Sequence, residues 1–407
     1  MIRRFSLYGF LKNQRYFEPF LVLVFLEKGL SFFQIGLLIG FREVCITLSE
    51  VPSGAWADLY GRRRAMLVSF GAYILSFALL AVAREIPLLF LAMGFYALGD
   101  AFRSGTHKAM IFQWLALKDR LDERTEFYGL TRSWSRIGSA VAVIVAPILV
   151  FGFNQYSVVF WAAILPYLAN MVNVATYPQE LDHSATSKDR ASTSMWDFFR
   201  ESLLRSFSLR PLRHILLESS FYEGLYRAVK DYLQPVLHGL ALALPFFLAL
   251  DDRKRTAFLV GGVYVLLHLA EAVSARKAHV LQARAGSDFE VSRWLWWAYL
   301  CIFMLLTPAF AFGWDGLAIA CFVCLAVTQN FWRPVLIGRI SFFGPREQTA
   351  TLLSIESQTR ALVAMVIAPC LGWTVDRFGF TPIGLLGLFI TLVFLIGFYR
   401  QPAAHPS

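Results

Sequence analysis

Charge is scarce in this chain. Asp, Glu, Lys and Arg together make up 16% of its 407 residues, against about 25% in soluble domains. Cysteine is scarcer still. The five present (Cys45, Cys301, Cys321, Cys324 and Cys370) all lie in apolar runs, which excludes a disulfide framework. Cys321 and Cys324 form a CxxC with no second pair and no histidine nearby, so helix packing accounts for them. No G-x-x-x-x-G-K-[ST] loop occurs, which excludes a built-in ATP motor. Metal-ligand and nucleophile patterns are missing too, so the reading is a non-enzyme that needs no cofactor and no metal. None of the five asparagines starts a glycosylation sequon, which favours a bacterial inner membrane. The first apolar run lacks a small-residue cleavage site and is broken by Lys12, Arg15 and Glu18. It reads as a first transmembrane helix, not a cleaved signal.

What the chain has in abundance is apolar sequence, 57% of it. Twelve spans are expected, at 8–27, 33–55, 64–83, 87–113, 129–152, 156–177, 212–237, 256–275, 293–312, 316–338, 350–373 and 381–399. The third, sixth, ninth and twelfth have charge-free interiors, whereas the interiors of the other eight, with the end residues Glu27 and Arg213 left aside, hold eleven bases and nine acids. Facing lipid, those twenty would cost on the order of 50–70 kcal/mol, at roughly 2.5–3.5 kcal/mol each. Eight helices therefore enclose a polar route and four shield it. The net charge of +10 does not point to nucleic acid, because 21 of the Lys and Arg residues fall in loops and tails of one side and six in those of the other. That asymmetry places both termini in the cytoplasm. The external run Arg253, Lys254, Arg255 is an exception to it.

The polar stretch 178–211 divides the chain into six-helix halves, 1–177 and 212–407. Within it, 196–207 mixes Trp, Phe and Leu with Arg and Glu and reads as an interfacial helix. The apolar segment 238–250 holds Pro245, is too short to span, and reads as a surface-lying or re-entrant piece.

Between the second and third spans stands Gly54-Ala-Trp-Ala-Asp58-Leu-Tyr-Gly61-Arg62-Arg63-Arg64. Gly54 suits close approach by a neighbouring helix and Gly61 a tight turn. The three arginines suit the cytoplasmic headgroups, and Asp58 suits a helix N-terminus or an arginine. This resembles the loop motif G-x-x-x-D-x-x-G-R-[RK] of the major facilitator superfamily. A fainter copy, Gly372-x-x-x-Asp376-Arg377-x-Gly379, follows the eleventh span. The family's antiporter pattern expects Gly-Pro on the fifth helix. Here Ala146 precedes Pro147, which counts against drug–proton antiport.

The resemblance implies an all-α membrane protein of two pseudo-symmetric six-helix bundles, with helices 1, 4, 7 and 10 lining a central site. Those spans carry polar stripes independently: Lys12, Arg15, Glu18; Asp100, Arg103, Ser104, His107; Glu223, Arg227, Lys230, Asp231 with Tyr222 and Tyr226; and Gln329, Asn330, Arg333. The expected substrate contacts are Arg15, Arg103, His107, Tyr222, Tyr226, Arg227, Asn330 and Arg333. Glu18, Asp100, Glu223 and Asp231 are the expected proton carriers, and Gly54, Asp58, Gly61 and Arg62 to Arg64 the gating motif. Glu356 and Arg360 are spaced for an intrahelical pair. Arg42 and Glu43 are expected to pair with other helices, and Glu50 to belong to the cytoplasmic gate.

The function expected is secondary transport of a small anionic or zwitterionic solute by alternating access, coupled to protons, by a monomer in the bilayer. Two other readings are a lipophilic-cation efflux pump of the same fold and a lipid-handling, non-transporting protein. The four lining spans hold seven bases against five acids, which favours the anion. Topology is testable directly. Ser187→Cys and Asp251→Cys, each in a cysteine-free background, are expected to label from opposite faces of the membrane. Labelling of both from one face would exclude twelve spans.

Overall fold

The computed structural model of the protein describes residues 1–182, 210–245, 248–343 and 349–399. Among these residues all regular structure is helical, with no strand. In chain order the helices are α1 (Ile2–Lys12), α2 (Leu21–Glu27), α3 (Phe32–Tyr60), α4 (Arg62–Val82), α5 (Ile86–Arg103), α6 (Thr106–Leu117), α7 (Arg124–Phe153) and α8 (Val158–Ala175). They continue with α9 (Arg210–Val229), α10 (Leu233–Ala243), α11 (Asp252–Ala285), α12 (Asp288–Ala311), α13 (Asp315–Phe343), α14 (Thr349–Phe378) and α15 (Thr381–Tyr399). Nine segments among the described residues are long and apolar enough to cross a membrane. The remaining expected spans, the first, seventh and twelfth, correspond to α1 with α2, α9 with α10, and α15.

Spans one, four and seven are broken where single helices were expected. The first starts at Ile2 and stops at Lys12, then resumes through a 3-10 turn, Glu18–Phe20, into α2. The Asn13 amide donates to the Gly9 carbonyl at 2.6 Å, occupying an acceptor that the helix end leaves open. The fourth breaks at Ser104-Gly105, where Gly105 has φ +73°. The seventh tightens into the 3-10 turn Lys230–Tyr232. Pro235 lacks the N–H that would bond the Asp231 carbonyl, which loosens the helix there. The segment 238–250 is not a separate piece at its start, because α10 runs unbroken to Ala243. Residues 183–209, which include the expected interfacial helix, lie outside the described residues.

Two compact units emerge. The first holds Met1–Gly29, Leu38–Thr193 and Leu244–Val265, and the second Leu30–Leu37, Ser194–Ala243 and Leu266–Ser407. In the first unit α4 packs on α5 and α8, and α1 on α7. Buried hydroxyls lock the α4–α5 pair, Ser69 donating to the Gly99 carbonyl at 2.6 Å and Ser76 to that of Ala92 at 2.7 Å. In the second unit α9 packs on α14, and α12 on α13 and α15. The charge-free helices α8 and α15 expose Trp161, Leu165, Val172, Leu385, Phe389 and Ile396, apolar rows suited to lipid.

The basic run Arg253 to Arg255 is absorbed by the first unit itself. Arg253 pairs with Glu27 at 2.7 Å, and Arg255 donates to the Leu244 carbonyl and pairs with Asp252. Lys254 lies over the Phe151 ring.

At the junction of α3 and α4 the turn at Gly61 and an arginine partner for Asp58 are as expected, while the cap of α4 is supplied from elsewhere. A Cβ built at Gly54 would meet no heavy atom within 4 Å among the described residues. Asp58 is half-exposed and pairs with Arg62 at 3.3 Å. The N-terminus of α4 is capped by Asp182, which accepts from the Arg63 N–H at 2.8 Å and pairs with its guanidinium. Arg62 also reaches Gln113, and Arg63 the Tyr177 carbonyl, so only Arg64 of the three is exposed. Gly61 is the fixed point, with φ +110° and an added Cβ only 2.6 Å from the Asp182 carboxylate. In the second unit, Asp376 of the fainter copy caps a helix outright. It accepts the N–H groups of Phe32 and Phe33, both at 2.8 Å.

Gly61→Ala is expected to destabilise the first unit by about 1–3 kcal/mol, since it adds backbone strain and a clash. Asp182→Ala is expected to cost about 1 kcal/mol as a lost cap. Thermal unfolding in detergent measures both. In the Asp182→Ala background the Gly61→Ala penalty should shrink to its backbone part, and an undiminished penalty would show that the carboxylate is not the obstacle.

Candidate functional site

Each unit carries an ionic cluster among the spans that the sequence marks as polar. In the first, Asp100 near the end of α5 accepts from the Tyr73 hydroxyl and from Arg103, both at 2.5 Å. Arg103 Nε also donates to the Tyr73 hydroxyl at 3.1 Å, closing a three-membered network. At the break in span one, Arg15 pairs with Glu18 at 2.9 Å, and the Glu18 side chain is half-exposed. Arg42 and Glu43 pair with each other at 2.8 Å, and Arg42 lies 5.7 Å from the centre of the Tyr96 ring on α5. Glu50 accepts from Ser104, which ties α3 to the break between α5 and α6 at 3.0 Å. His107 is buried, stacked on Tyr8 with centroids 3.5 Å apart, its Nε2 lying 3.4 Å from the Tyr177 hydroxyl.

A cavity of about 510 Å³ opens beside that histidine. Lys12 of α1, Arg103 of α5, His107 and Lys108 of α6, and Arg132 and Arg136 of α7 contribute to its wall, and no Asp or Glu does. Arg103 is neutralised by Asp100. Among the described residues, Lys12, Lys108, Arg132 and Arg136 have no carboxylate partner, and Lys108 instead lies over the rings of Phe112 and Tyr128.

The second unit is different. Arg360 on α14 donates to Glu223 on α9 and to Glu356, its neighbour one turn away, as the i,i+4 spacing anticipates. Arg333 on α13 reaches the same two acids, at 3.4 Å and 3.0 Å. Ser219 donates to Glu356 at 2.9 Å. Two bases and two acids form one network. Three of its members are buried, while the Arg333 side chain is 42% exposed.

Other expected contacts are placed elsewhere. Tyr222 is fully buried, its ring stacked on Tyr299 and Trp332 at 4.0 Å each, so it sits in the packing of the unit. Asn330 donates to the Ala326 carbonyl one turn back. Asp231 lies in the 3-10 turn and pairs with Lys230 at 3.3 Å. Tyr226 and Arg227 are half-buried on α9.

One ionic pair escaped the sequence reading. Arg339 is 2% exposed and pairs with the wholly buried Glu218 at 2.7 Å. Ser292 and Trp296 complete it, Arg339 donating to the serine hydroxyl and the indole to Glu218. The signal was present. Trp332, Val335, Leu336, Arg339 and Ile340 follow helical spacing on one buried face, which carries α13 past the expected end at 338.

Comparison with known proteins places this architecture. The family model for the Major Facilitator Superfamily matches residues 13–363. An uncharacterized MFS-type transporter, YxaM of Bacillus subtilis (strain 168), is 24% identical over 366 residues, covering 89% of this chain and 86% of that protein. Among solved structures, the nucleoside transporter NupG superposes with a TM-score of 0.80 at 13% identity, over 98% of this chain and 99% of that one. A D-xylose–proton symporter superposes with a TM-score of 0.68 at 10% identity, over 97% and 96% of the two chains. The Asp58 motif, the ionic clusters within apolar spans and the match over most of its length all agree: the chain belongs to the major facilitator superfamily, as a multi-pass membrane transporter and not an enzyme.

Proposed function

We propose that the protein is a secondary active transporter that moves a small anionic or zwitterionic solute by alternating access, coupled to protons. One observation carries the reading. Leaving aside residues at the span ends of either unit (Glu27, Arg64, Arg213 and Arg293), the first unit's spans hold seven bases (Lys12, Arg15, Arg42, Arg103, Lys108, Arg132 and Arg136) against four acids, Glu18, Glu43, Glu50 and Asp100. In the second unit Arg227, Lys230, Arg333, Arg360 and the buried Arg339 face five acids, Glu218, Glu223, Asp231, Glu271 and Glu356. The surplus of positive charge is therefore local to the first unit. Uncompensated charge in a low-dielectric setting is costly, and an anionic solute relieves it.

The halves 1–177 and 212–407 act as the two rocking bundles, with 178–211 and both termini in the cytoplasm of a bacterial inner membrane. Protons act through carboxylates that share a base. A proton on Glu223 or Glu356 weakens the hold on Arg333, the accessible member of its network. Asp100 and Glu18 stand in the same relation to Arg103 and Arg15. Fold similarity to a D-xylose–proton symporter supports the choice of coupling ion.

Flux of anions, zwitterions and lipophilic cations into proteoliposomes tests the reading. Arg333→Gln is expected to weaken coupling to a pH gradient, with lysine restoring it only in part because it lacks the guanidinium fork. Transport confined to lipophilic cations, and indifferent to that substitution, would establish efflux of the cation type instead.

The exposed position of Asp58 beside Arg62, with α4 capped by a different residue, leaves its carboxylate available for the conformational cycle. Asp58→Asn is expected to abolish flux while leaving equilibrium ligand binding within a few-fold. A parallel loss of binding, measured on folded protein, would remove the gating role.

A further inference from the structure

The basic cavity of the first unit has a chemistry more specific than surplus charge. The four bases in its wall that have no carboxylate partner among the described residues come from three helices. Lys12 ends α1, Lys108 lies in the first turn of α6, and Arg132 and Arg136 stand one turn apart on α7. Three separate elements thus present cations to one volume. A cavity of about 510 Å³ falls within the roughly 300–1,000 Å³ of small-ligand sites.

The break in span four adds a second source of positive potential. Gly105 turns the chain with φ +73°, and α6 starts with no side-chain cap on its first N–H groups. Gly105, His107 and Lys108 of that start all line the cavity. An uncapped helix N-terminus favours anions, and here it opens on cations that have no carboxylate partner among the described residues. The two features come from different parts of the sequence and point to the same class of ligand.

A single carboxylate would leave most of this charge uncompensated. We propose that this cavity holds a doubly charged anionic group, a phosphate or phosphonate, with Arg132 and Arg136 gripping its oxygens and Lys12 and the start of α6 completing the shell. The guanidinium fork matches phosphate oxygens through parallel hydrogen bonds, and lysine adds a point charge. The proposal rests on the anion-transport reading and narrows it to one group at one place. That group could belong to a water-soluble phosphate ester or to a phospholipid headgroup.

Thermal unfolding of the purified full chain separates these cases. Inorganic phosphate, glycerol phosphate, acetate and chloride are compared at equal ionic strength, and phosphatidic acid is compared with phosphatidylcholine in mixed micelles. A ligand that binds the folded state alone raises the midpoint in proportion to its affinity. Glycerol phosphate or inorganic phosphate is expected to stabilise at concentrations at least tenfold below acetate. Arg132→Gln and Arg136→Gln are expected to raise the required concentration tenfold or more each, and Lys12→Gln severalfold. Arg132→Lys should recover part of the loss, and the ligand-free midpoint of each variant shows whether it is folded. Stabilisation by phosphatidic acid alone, lost in the same variants, supports the site with a lipid as the source. Phosphate stabilisation that survives all three Gln substitutions overturns the site but leaves the anion reading standing. Equal responses to acetate and phosphate overturn the double charge. No response to any anion removes both.

Discussion

An arginine held inside an apolar bundle keeps its charge, and it must be met by a carboxylate, a ligand or water. That requirement organises both units. In the second it is met twice, by Glu218 against Arg339 and by Glu223 and Glu356 against Arg333 and Arg360. Removing one partner of such a buried pair costs about 3–5 kcal/mol, because the other charge stays behind. The pairs therefore fix which helices can be neighbours. Glu223 ties α9 to α14, and Glu218 ties it to α13, with Trp296 of α12 closing the second pair. Helix packing and charge satisfaction are one constraint here.

The backbone follows the same rule. A broken helix leaves N–H and C=O groups without intrahelical partners, which lipid cannot satisfy. All three breaks occur in polar-striped spans, at 13–17, at Ser104-Gly105 and at 230–232, among side chains able to serve freed groups. Asn13 reaches the Gly9 carbonyl and Thr106 the Phe102 carbonyl. Where no side chain caps the start of α6, the cavity lies open beside it. The irregular backbone and the cationic wall thus fall in the same place.

Most of the architecture is legible in the sequence because membrane insertion leaves few alternatives. Length, apolarity and the charge-free interiors of every third span follow from the cost of charge in lipid, and the family match agrees with them. The breaks in spans one, four and seven were not legible, since Asn13, Gly105 and Pro235 are each ordinary in membrane helices. Pairing was legible only at short range. Glu356 with Arg360 and Asp100 with Arg103 follow from helical spacing. Asp182 on Arg63, or Arg339 on Glu218, joins residues more than a hundred positions apart, and nothing in composition brings them together. Gly54 shows the opposite failure. Its motif suggests a close helix, yet among the described residues the close contact is made at Gly61 and none lies within 4 Å of a Cβ at Gly54.

The two units differ in what can disturb them, and on the proposed function this divides the labour between them. The Glu223–Glu356–Arg333–Arg360 network is balanced without any ligand, so a solute gains little by entering it. A proton does change it, because a neutral glutamate leaves two arginines to one carboxylate. In the first unit the order is reversed. Lys12, Lys108, Arg132 and Arg136 have no carboxylate partner among the described residues, so an arriving anion has the larger effect there. On the proposed function the anion acts on the first unit while protons act on carboxylate–base pairs of both, so neither event alone satisfies both. A cycle that proceeds only when both units are satisfied is a coupled cycle, and it needs no single residue that binds both solute and proton.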